Sequence, residues 1–143
     1  GTITFTKVTG GIQIVANVTG LEPGEHGLHI FENGSCGASD SITLGAHFNP
    51  EKMPHGAPND SLRHEGDLGN LEAVENTITH VEWTDARLSF TGKYSIIGRS
   101  VVIDEGPDDF KTQPYGNSGD HVACGVIGIK KEEVPADTTG TLP

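Results

Sequence analysis

Three histidines and one aspartate crowd into a loop-forming stretch between residues 47 and 67. His47, His55 and His64 are followed by Asp67, in a segment dense in glycine and proline. Such a segment does not form a helix, so four potential metal ligands share one loop. Neutral imidazole nitrogens and one carboxylate suit zinc in tetrahedral geometry. We therefore expect a metal to organise the loop; the alternative is a polar loop that holds histidines by chance.

Much of the remaining sequence alternates between apolar and polar residues, which is typical of half-buried β-strands. Strands are predicted at residues 2–5, 12–18, 78–83, 87–91, 96–97, 101–103 and 123–129. No segment keeps a helical period for three turns. Two long irregular stretches, 32–70 and 104–120, interrupt the strands, and loops of this length usually carry a function or are held by a ligand or crosslink. The pattern predicts an all-β sandwich or Greek-key β-barrel with two long loops.

Length and charge narrow the possible classes of protein. The 143 residues make one domain, in which residues 130–143 form a polar C-terminal extension. The net charge of −11 argues against nucleic acid and membrane surfaces as partners. The sequence has no apolar run long enough to span a bilayer and no signal-like segment at its start. Because the first residue is glycine, we expect a processed or excised chain.

Two cysteines and three glycosylation sequons indicate the compartment in which the protein is located. Cys36 and Cys124 are 88 positions apart, and a disulfide between them would stabilise the fold by roughly 4 kcal/mol in the chain-entropy model. We favour this disulfide over two free, buried thiols, because it would tie the first long loop to the last strand. Glycosylation sequons begin at Asn17, Asn33 and Asn59. Together these features predict a secreted, extracellular protein.

Several segments resemble the copper/zinc superoxide dismutase family. The matching residues are 20–21, 26–29, 46–50, 63–70, 95–99, 104–109, 116–119 and 123–128. The resemblance covers nearly the whole chain up to about residue 129. It implies an eight-stranded Greek-key barrel with a zinc loop, an electrostatic loop and one disulfide within the subunit.

The resemblance assigns roles to the residues of the histidine-rich loop. His47 matches the histidine that bridges zinc and copper, and His55, His64 and Asp67 match the other zinc ligands. Asp108 matches a carboxylate that hydrogen-bonds histidines of both metal sites and fixes their orientation. The resemblance therefore implies one zinc ion per chain. For Asp108, the alternative is an ordinary loop carboxylate.

The copper half of the family's site is incomplete in this sequence. His29 and the bridging His47 are present, but Phe31 and Asp104 stand where the family has its other two copper histidines. A carboxylate disfavours Cu(I), whereas dismutation requires copper to cycle between two oxidation states. His121 stands where the family has an arginine that attracts superoxide. Bound copper is therefore doubtful, and we expect no efficient dismutation.

Two interpretations of this altered half remain open. In the first, His29, Asp104 and His121 form a second site for zinc or Cu(II), with His47 as a fourth ligand. In the second, which we favour slightly, Phe31 fills the space and Asp104 pairs with a protonated His121.

The family's first strand has no counterpart before residues 1–5. Without it, neighbouring strands would have unpaired edges. The extension at 130–143 could cover them, or another chain could, unless the chain is a fragment of a longer protein. Pairing with another chain predicts self-association as a dimer or higher oligomer.

Four functions fit these observations. We favour a non-catalytic, secreted zinc-binding protein with a degenerate copper site, whose role would be storage or transport of divalent metal; pernin and cavortin of invertebrate body fluid are analogies. The second is a superoxide dismutase with a remodelled metal site. The third is a copper-chaperone domain, although the chain lacks the Cys-x-x-Cys or Cys-x-Cys pair that copper transfer requires. The fourth is a structural or partner-binding module in which zinc only stabilises the fold.

Overall fold

The computed structural model describes residues 1–36 and 41–130 and consists of two antiparallel β-sheets around one apolar core. The elements are β1 (Thr2–Val8), β2 (Gly11–Val18), β3 (Gly24–Phe31), α1 (Ser41–Leu44), β4 (Asp67–Ala73), β5 (Thr79–Asp85), β6 (Ser100–Asp104) and β7 (His121–Val126). The first sheet has the strand order β1-β2-β5 and the second has the order β4-β3-β6-β7. The predicted all-β sandwich is confirmed. Among the described residues, no helix has both the length and the apolar character to cross a membrane.

The second sheet carries the site because its strands β3 and β6 are buried on both faces. Side chains alternate between the two faces of a strand, so Leu28 and Ile30 join the main core while His29 and Phe31 point to the opposite face. In the β3–β6 pairing, His29 lies opposite Val102. Val102 joins Phe31 in a small separate apolar cluster. The β-alternation therefore gathers polar and aromatic side chains on the outer face of this sheet.

Two loops cover that outer face: residues 32–66 between β3 and β4, which we call loop 1, and residues 105–120 between β6 and β7, which we call loop 2. Loop 1 is hydrogen-bonded to β3, since Phe48 N donates to Ile30 O (2.7 Å) and Ile30 N donates to Gly66 O (2.9 Å). A Cβ at Gly66 would lie 2.2 Å from Ile30 O, so only glycine allows this approach.

The predicted disulfide is confirmed. Cys36 of loop 1 is bonded to Cys124 of β7. The bond therefore joins the start of loop 1 to the edge strand of the second sheet, which is the link that the sequence predicted.

Two of the predicted strands are wrong. Residues 87–91 and 96–97 belong to an irregular connection that contains a 3₁₀ turn at Gly92–Tyr94 and a single bridge between Ser89 and Ser95. Leu88 and Ile96 are buried in the core, so their apolar character reflects burial and not strand pairing. The predicted irregular stretch 32–70 is also too long, because β4 already begins at Asp67.

Within the described part of the chain each sheet has two edge strands, β1 and β5 in the first and β4 and β7 in the second. The edges of β1, which pairs only with β2, and of β7, which pairs only with β6, lie near each other. A mainly apolar cleft of about 1130 Å³ lies between these edges, with Ile3 and Phe5 on one side and Ile127 on the other. The extension at 130–143 was expected to be able to cover these edges. Its residues 131–143 lie outside the described residues.

Candidate metal centre

Loop 1 and the start of β4 bring the four predicted zinc ligands together. His47 forms an isolated bridge with Phe31 at the end of β3, His55 lies within the loop, and His64 lies just before β4. Asp67 is the first residue of β4. All four side chains are buried, although such polar groups are rarely buried without a partner.

The ligand atoms converge on one oxygen of Asp67. Asp67 Oδ1 lies 3.1 Å from His47 Nδ1, 2.9 Å from His55 Nδ1 and 3.2 Å from His64 Nδ1. His47 Nδ1 and His64 Nδ1 are 3.1 Å apart. Ligands bonded to zinc at roughly 2.0–2.1 Å in tetrahedral geometry are roughly 3.3 Å from one another. The observed separations are therefore close to those of a tetrahedral zinc site.

The contacts among these groups do not by themselves satisfy their hydrogen-bonding capacity. His55 Nδ1 is buried and makes no hydrogen bond of acceptable geometry, although it lies close to Asp67 Oδ1. The other carboxylate oxygen, Asp67 Oδ2, accepts hydrogen bonds from His64 N (2.8 Å) and Gly56 N (3.1 Å). The backbone of loop 1 thus holds one oxygen of Asp67 and leaves the other facing three imidazole nitrogens. This donor set fits zinc.

The protonation states of His47 and Asp67 suit a metal, whereas His55 would have to lose a proton to bind one. Burial lowers the pKa of His47 to about 4, so its ring is neutral at pH 7 and offers a lone pair. Burial opposes the ionisation of Asp67, but the three histidines outweigh it and hold the pKa of this carboxyl well below its usual range. Burial also lowers the pKa of His55, but Asp108 and Asp67 more than compensate and raise it to about 9. Metal binding would therefore release a proton from His55.

Asp108 lies between His29 and the predicted zinc ligand His55. Asp108 Oδ1 lies 2.7 Å from His55 Nε2, and Asp108 Oδ2 lies 2.8 Å from His29 Nε2. Phe110 N donates to Asp108 Oδ1 (2.8 Å). Burial opposes the ionisation of Asp108, but the two histidines outweigh it and lower the pKa of the carboxyl.

The sequence reasoning missed two residues that position these groups. Asn70 forms two hydrogen bonds with the backbone of Asp108, at 2.8 and 3.0 Å. Gln113 forms two with the backbone of His55, at 2.7 and 2.9 Å. Asn70 was detectable as a polar residue in the matched segment 63–70, whereas no local pattern marks Gln113, because its partner is 58 positions away.

His29 lies between two carboxylates. Its Nδ1 lies 2.9 Å from Asp104 Oδ2, and its Nε2 lies 2.8 Å from Asp108 Oδ2. Burial lowers the pKa of His29, but these carboxylates outweigh it and raise the pKa above its usual value. A protonated ring donates at both nitrogens and keeps no lone pair for a metal.

Phe31 and His121 complete this side of the site. The Phe31 ring is 3% exposed and lies edge-on to His47 and to His121, with ring centroids 4.9 Å and 5.1 Å away. His121 Nδ1 lies 2.8 Å from Asp104 Oδ1, and Ser118 Oγ donates to Asp104 Oδ2 (2.7 Å). His29, Asp104 and His121 are thus adjacent. Asp104 binds both imidazoles, and Phe31 packs beside them. A cavity of about 790 Å³ opens above these residues.

A second combination of ligands overlaps the predicted set. Potential ligand atoms of His29, His47, His55 and Asp67 all lie within 4.8 Å of one another. This combination uses His29 in place of His64. His64 Nδ1, however, lies 3.1 Å from His47 Nδ1 and directly faces Asp67, whereas both nitrogens of His29 already face carboxylates. The geometry therefore favours His64 as the fourth ligand.

The fold and the site define a class: β-sandwich proteins in which a long, disulfide-linked loop offers histidines and an aspartate to a metal. The sequence profile of "Copper/zinc superoxide dismutase (SODC)" matches residues 1–127. The chain therefore belongs to the copper/zinc superoxide dismutase family, as the resemblance indicated.

Individual relatives agree with this assignment. The chain is 43% identical to an extracellular superoxide dismutase [Cu-Zn] of Caenorhabditis elegans over 149 residues, which cover 100% of this chain and 67% of that protein. It is 44% identical to a protein of the same name in Drosophila melanogaster over 138 residues, which cover 91% of this chain and 76% of that protein. These names confirm the prediction of a secreted, extracellular protein. A similar solved structure is that of the clock protein EA4, with a TM-score of 0.83 and 44% identity, covering 90% of this chain and 85% of that one.

Proposed function

We propose that this chain is an extracellular zinc-binding protein of the superoxide dismutase family that does not dismutate superoxide. The observation that carries the proposal is the position of His29, whose two ring nitrogens both face carboxylates while Phe31 packs against the bridging His47. Dismutation needs a metal that changes oxidation state, and copper sites of that kind depend on free imidazole nitrogens.

The surroundings of the cavity also disfavour an anionic substrate. His121 stands where the family has its anion-binding arginine, and its Nδ1 is already engaged by Asp104. The net charge of −11 repels small anions at long range. Among the described residues that line the cavity above Phe31, none is a lysine or an arginine that would draw superoxide to it.

The zinc site would be formed by His47, His55, His64 and Asp67, with Asp108 orienting His55. Zinc bound there supplies a fixed crosslink and no redox chemistry. His55 Nε2 would remain bonded to Asp108, and His55 Nδ1 would face the ion. A role in storing or transporting divalent metal would require this site, or the cavity beside it, to load and release metal reversibly.

The second candidate is a dismutase with a remodelled metal site. The names of the relatives favour it, since the proteins from two animals at 43% and 44% identity are called Cu-Zn superoxide dismutases. In this case Asp104 would give up its hydrogen bonds to His29 and His121. These three residues, together with His47, would then bind a copper ion.

Metal content measured per chain separates the two candidates. The protein would be purified without added metal, challenged with excess Cu(II), dialysed and measured by elemental analysis beside a dismutase assay. We expect one zinc, no retained copper and no dismutation above that of an unrelated protein. One zinc together with one retained copper and copper-dependent dismutation would overturn the proposal in favour of the second candidate.

Zinc should also stabilise the fold. At a free zinc concentration of about 1000 times its dissociation constant, binding adds about 4 kcal/mol to the free energy of unfolding. For a domain of this size that corresponds to about 8–16 °C in the melting temperature. Calorimetry with and without a chelator measures the difference, and Asp67→Asn should reduce it.

A further inference from the structure

We propose that Asp104 and His29 act as positioning residues for zinc, because they hold Asp108 in place against His55 from the opposite side. This inference rests on the zinc site of the proposed function. It extends that site to His29 and Asp104, which lie where the family has copper ligands. We refer to Asp104, His29 and Asp108 together as the Asp104 network.

The network is a continuous series of hydrogen bonds from β6 to loop 1. Asp104 Oδ2 lies 2.9 Å from His29 Nδ1, His29 Nε2 lies 2.8 Å from Asp108 Oδ2, and Asp108 Oδ1 lies 2.7 Å from His55 Nε2. His55 Nδ1, at the far side of that ring, lies beside Asp67 Oδ1 at 2.9 Å. Rotation of His55 is thereby restrained at Nε2, and the nitrogen that would bind zinc is aimed at the other ligands.

The end of the network formed by Asp104 and His29 lies on two buried strands. His29 and Asp104 belong to the adjacent strands β3 and β6, and both are at most 2% exposed. The backbone oxygen of Asp104 lies 2.8 Å from His26 Nδ1, and Ser118 Oγ donates to the Asp104 carboxylate. Strand residues buried to this degree hold their side chains more precisely than loop residues do. Asp108 itself belongs to a loop, so it benefits from such a support.

Two glycines leave the space that the network needs. A Cβ at Gly27 would lie 3.0 Å from the His29 ring and 3.2 Å from Asp104 Oδ2. A Cβ at Gly116 would lie 2.0 Å from Asp108 Oδ1 and 2.6 Å from His55 Nε2. Gly116 also has φ of +74°, a region that favours glycine. Any side chain at Gly116 would displace the hydrogen bond between Asp108 and His55. The network therefore requires glycine at this position.

Hydrogen bonds to the second nitrogen of a metal-binding histidine fix its orientation and raise its basicity, and losing such a partner typically weakens metal binding by about 10–100-fold. Asp108→Asn removes the direct partner of His55 and should fall in that range. Asp104→Asn acts one step further away and keeps the shape of the side chain, so we expect about tenfold weaker binding.

The zinc dissociation constants of the full-length wild type, Asp104→Asn and Asp108→Asn would be measured by competition with a chromophoric chelator. Asp120→Asn is the matched control, because it removes the same charge from an exposed residue of loop 2. We expect the control to bind zinc like the wild type. Equal affinities of the wild type and Asp104→Asn would overturn the inference.

A spectroscopic readout separates positioning from a general loss of structure. In ¹H–¹⁵N spectra of the zinc-loaded wild type we expect slowly exchanging ring N–H protons at His29 Nδ1, His29 Nε2 and His55 Nε2. Asp104→Asn should lose the first and shift the other two, while the backbone spectrum stays folded. Unchanged ring signals would contradict the network.

The failures of the two proposals are distinguishable. A wild type that binds no zinc overturns the proposed function. A wild type that binds one zinc, with an Asp104→Asn variant of equal affinity, overturns only the role of the Asp104 network. If Asp104→Asn does not fold, Ser118→Ala removes one hydrogen bond from the same carboxylate and should weaken zinc binding severalfold; no change would count against the inference.

Discussion

At the scale of single residues, Phe31 and Asp104 carry the proposal that this site does not dismutate superoxide. Both lie where the family has copper histidines. Phe31 offers a ring edge to His47 and no lone pair, and Asp104 offers a carboxylate that is already shared by His29 and His121. The ligands proposed for zinc are a few ångströms away, and none of them departs from the family's pattern.

Restoring both histidines should restore a copper site. We expect the double variant Phe31→His and Asp104→His to retain one copper per chain and to dismutate superoxide at least about tenfold faster than the wild type, because four imidazoles would then face the ion. Elemental analysis and a dismutase assay measure this. Phe31→His alone is the control and should bind copper more weakly. A double variant that holds copper without activity would show that these two residues do not explain the expected inactivity.

The zinc-free protein should be most stable near pH 6.5. Burial lowers the pKa of His47 from 6.5 in the unfolded chain to about 4 in the folded chain. Below pH 6.5 the unfolded chain therefore takes up a proton that the folded chain does not. The free energy of unfolding falls as the pH falls through this range. The pKa of His55 is raised to about 9, so its contribution is complete below 6.5 and is lost as the pH rises through 9. Melting temperatures measured in a chelator between pH 4 and 9.5 test this. A steady rise or fall across the range would contradict it.

At the level of elements, described residues of both loops are hydrogen-bonded to the same strand. Loop 1 is bonded to β3 through Phe48 and Gly66, and loop 2 is bonded to the same strand through Gly27 N, which donates to Gly106 O (2.9 Å). Strand β3 therefore carries His29 and Phe31 of the site and is also hydrogen-bonded to both loops that cover it. The disulfide adds a covalent attachment between loop 1 and β7.

Removing the disulfide should lower the free energy of unfolding by roughly 4 kcal/mol, because the bond closes 88 residues and limits the unfolded chain. Urea unfolding of Cys36→Ser, compared with the wild type, measures the loss. The double variant with Cys124→Ser should lose about the same amount as the single variant. A loss well under 1 kcal/mol would show that loop 1 is held by its hydrogen bonds alone.

At the scale of the whole molecule, two of the four sheet edges among the described strands, those of β1 and β7, flank one cleft. The cleft between them is lined by apolar side chains of β1 and of the segment that follows β7. Unpaired edges of this kind favour pairing with another strand.

We expect self-association, with a solution mass of at least two chains of 15.1 kDa. Sedimentation equilibrium measures it. Val126→Lys places a charge on an exposed position of β7 and should weaken the association by at least about tenfold. Ile78→Lys is the matched control, since it changes a similarly exposed residue outside the cleft. A monomeric wild type, or equal effects of the two substitutions, would rule out association through this edge.

The local pattern of apolar residues was sufficient to locate several of the strands. Alternation located β1, β2 and β5, because strands bury every second side chain, and a short apolar run located β6. Alternation failed at residues 87–91 and the apolar run failed at 96–97, where apolar residues are buried outside the named strands. Alternation reports burial, and burial alone does not distinguish a strand from a loop that crosses the core.

The sequence by itself determined the zinc-ligand candidates, the cysteine pair and the all-β class, since each depends on residue types and their spacing along the chain. Only the tertiary structure decided that the ring of His29 is bonded to Asp104. The bonds of its ring to Asp104 and Asp108 span 75 and 79 positions, and Gln113 reaches His55 across 58. Whether such residues bind a metal or one another depends on where the strands and loops place their side chains. Spacing along the chain carries no record of that placement.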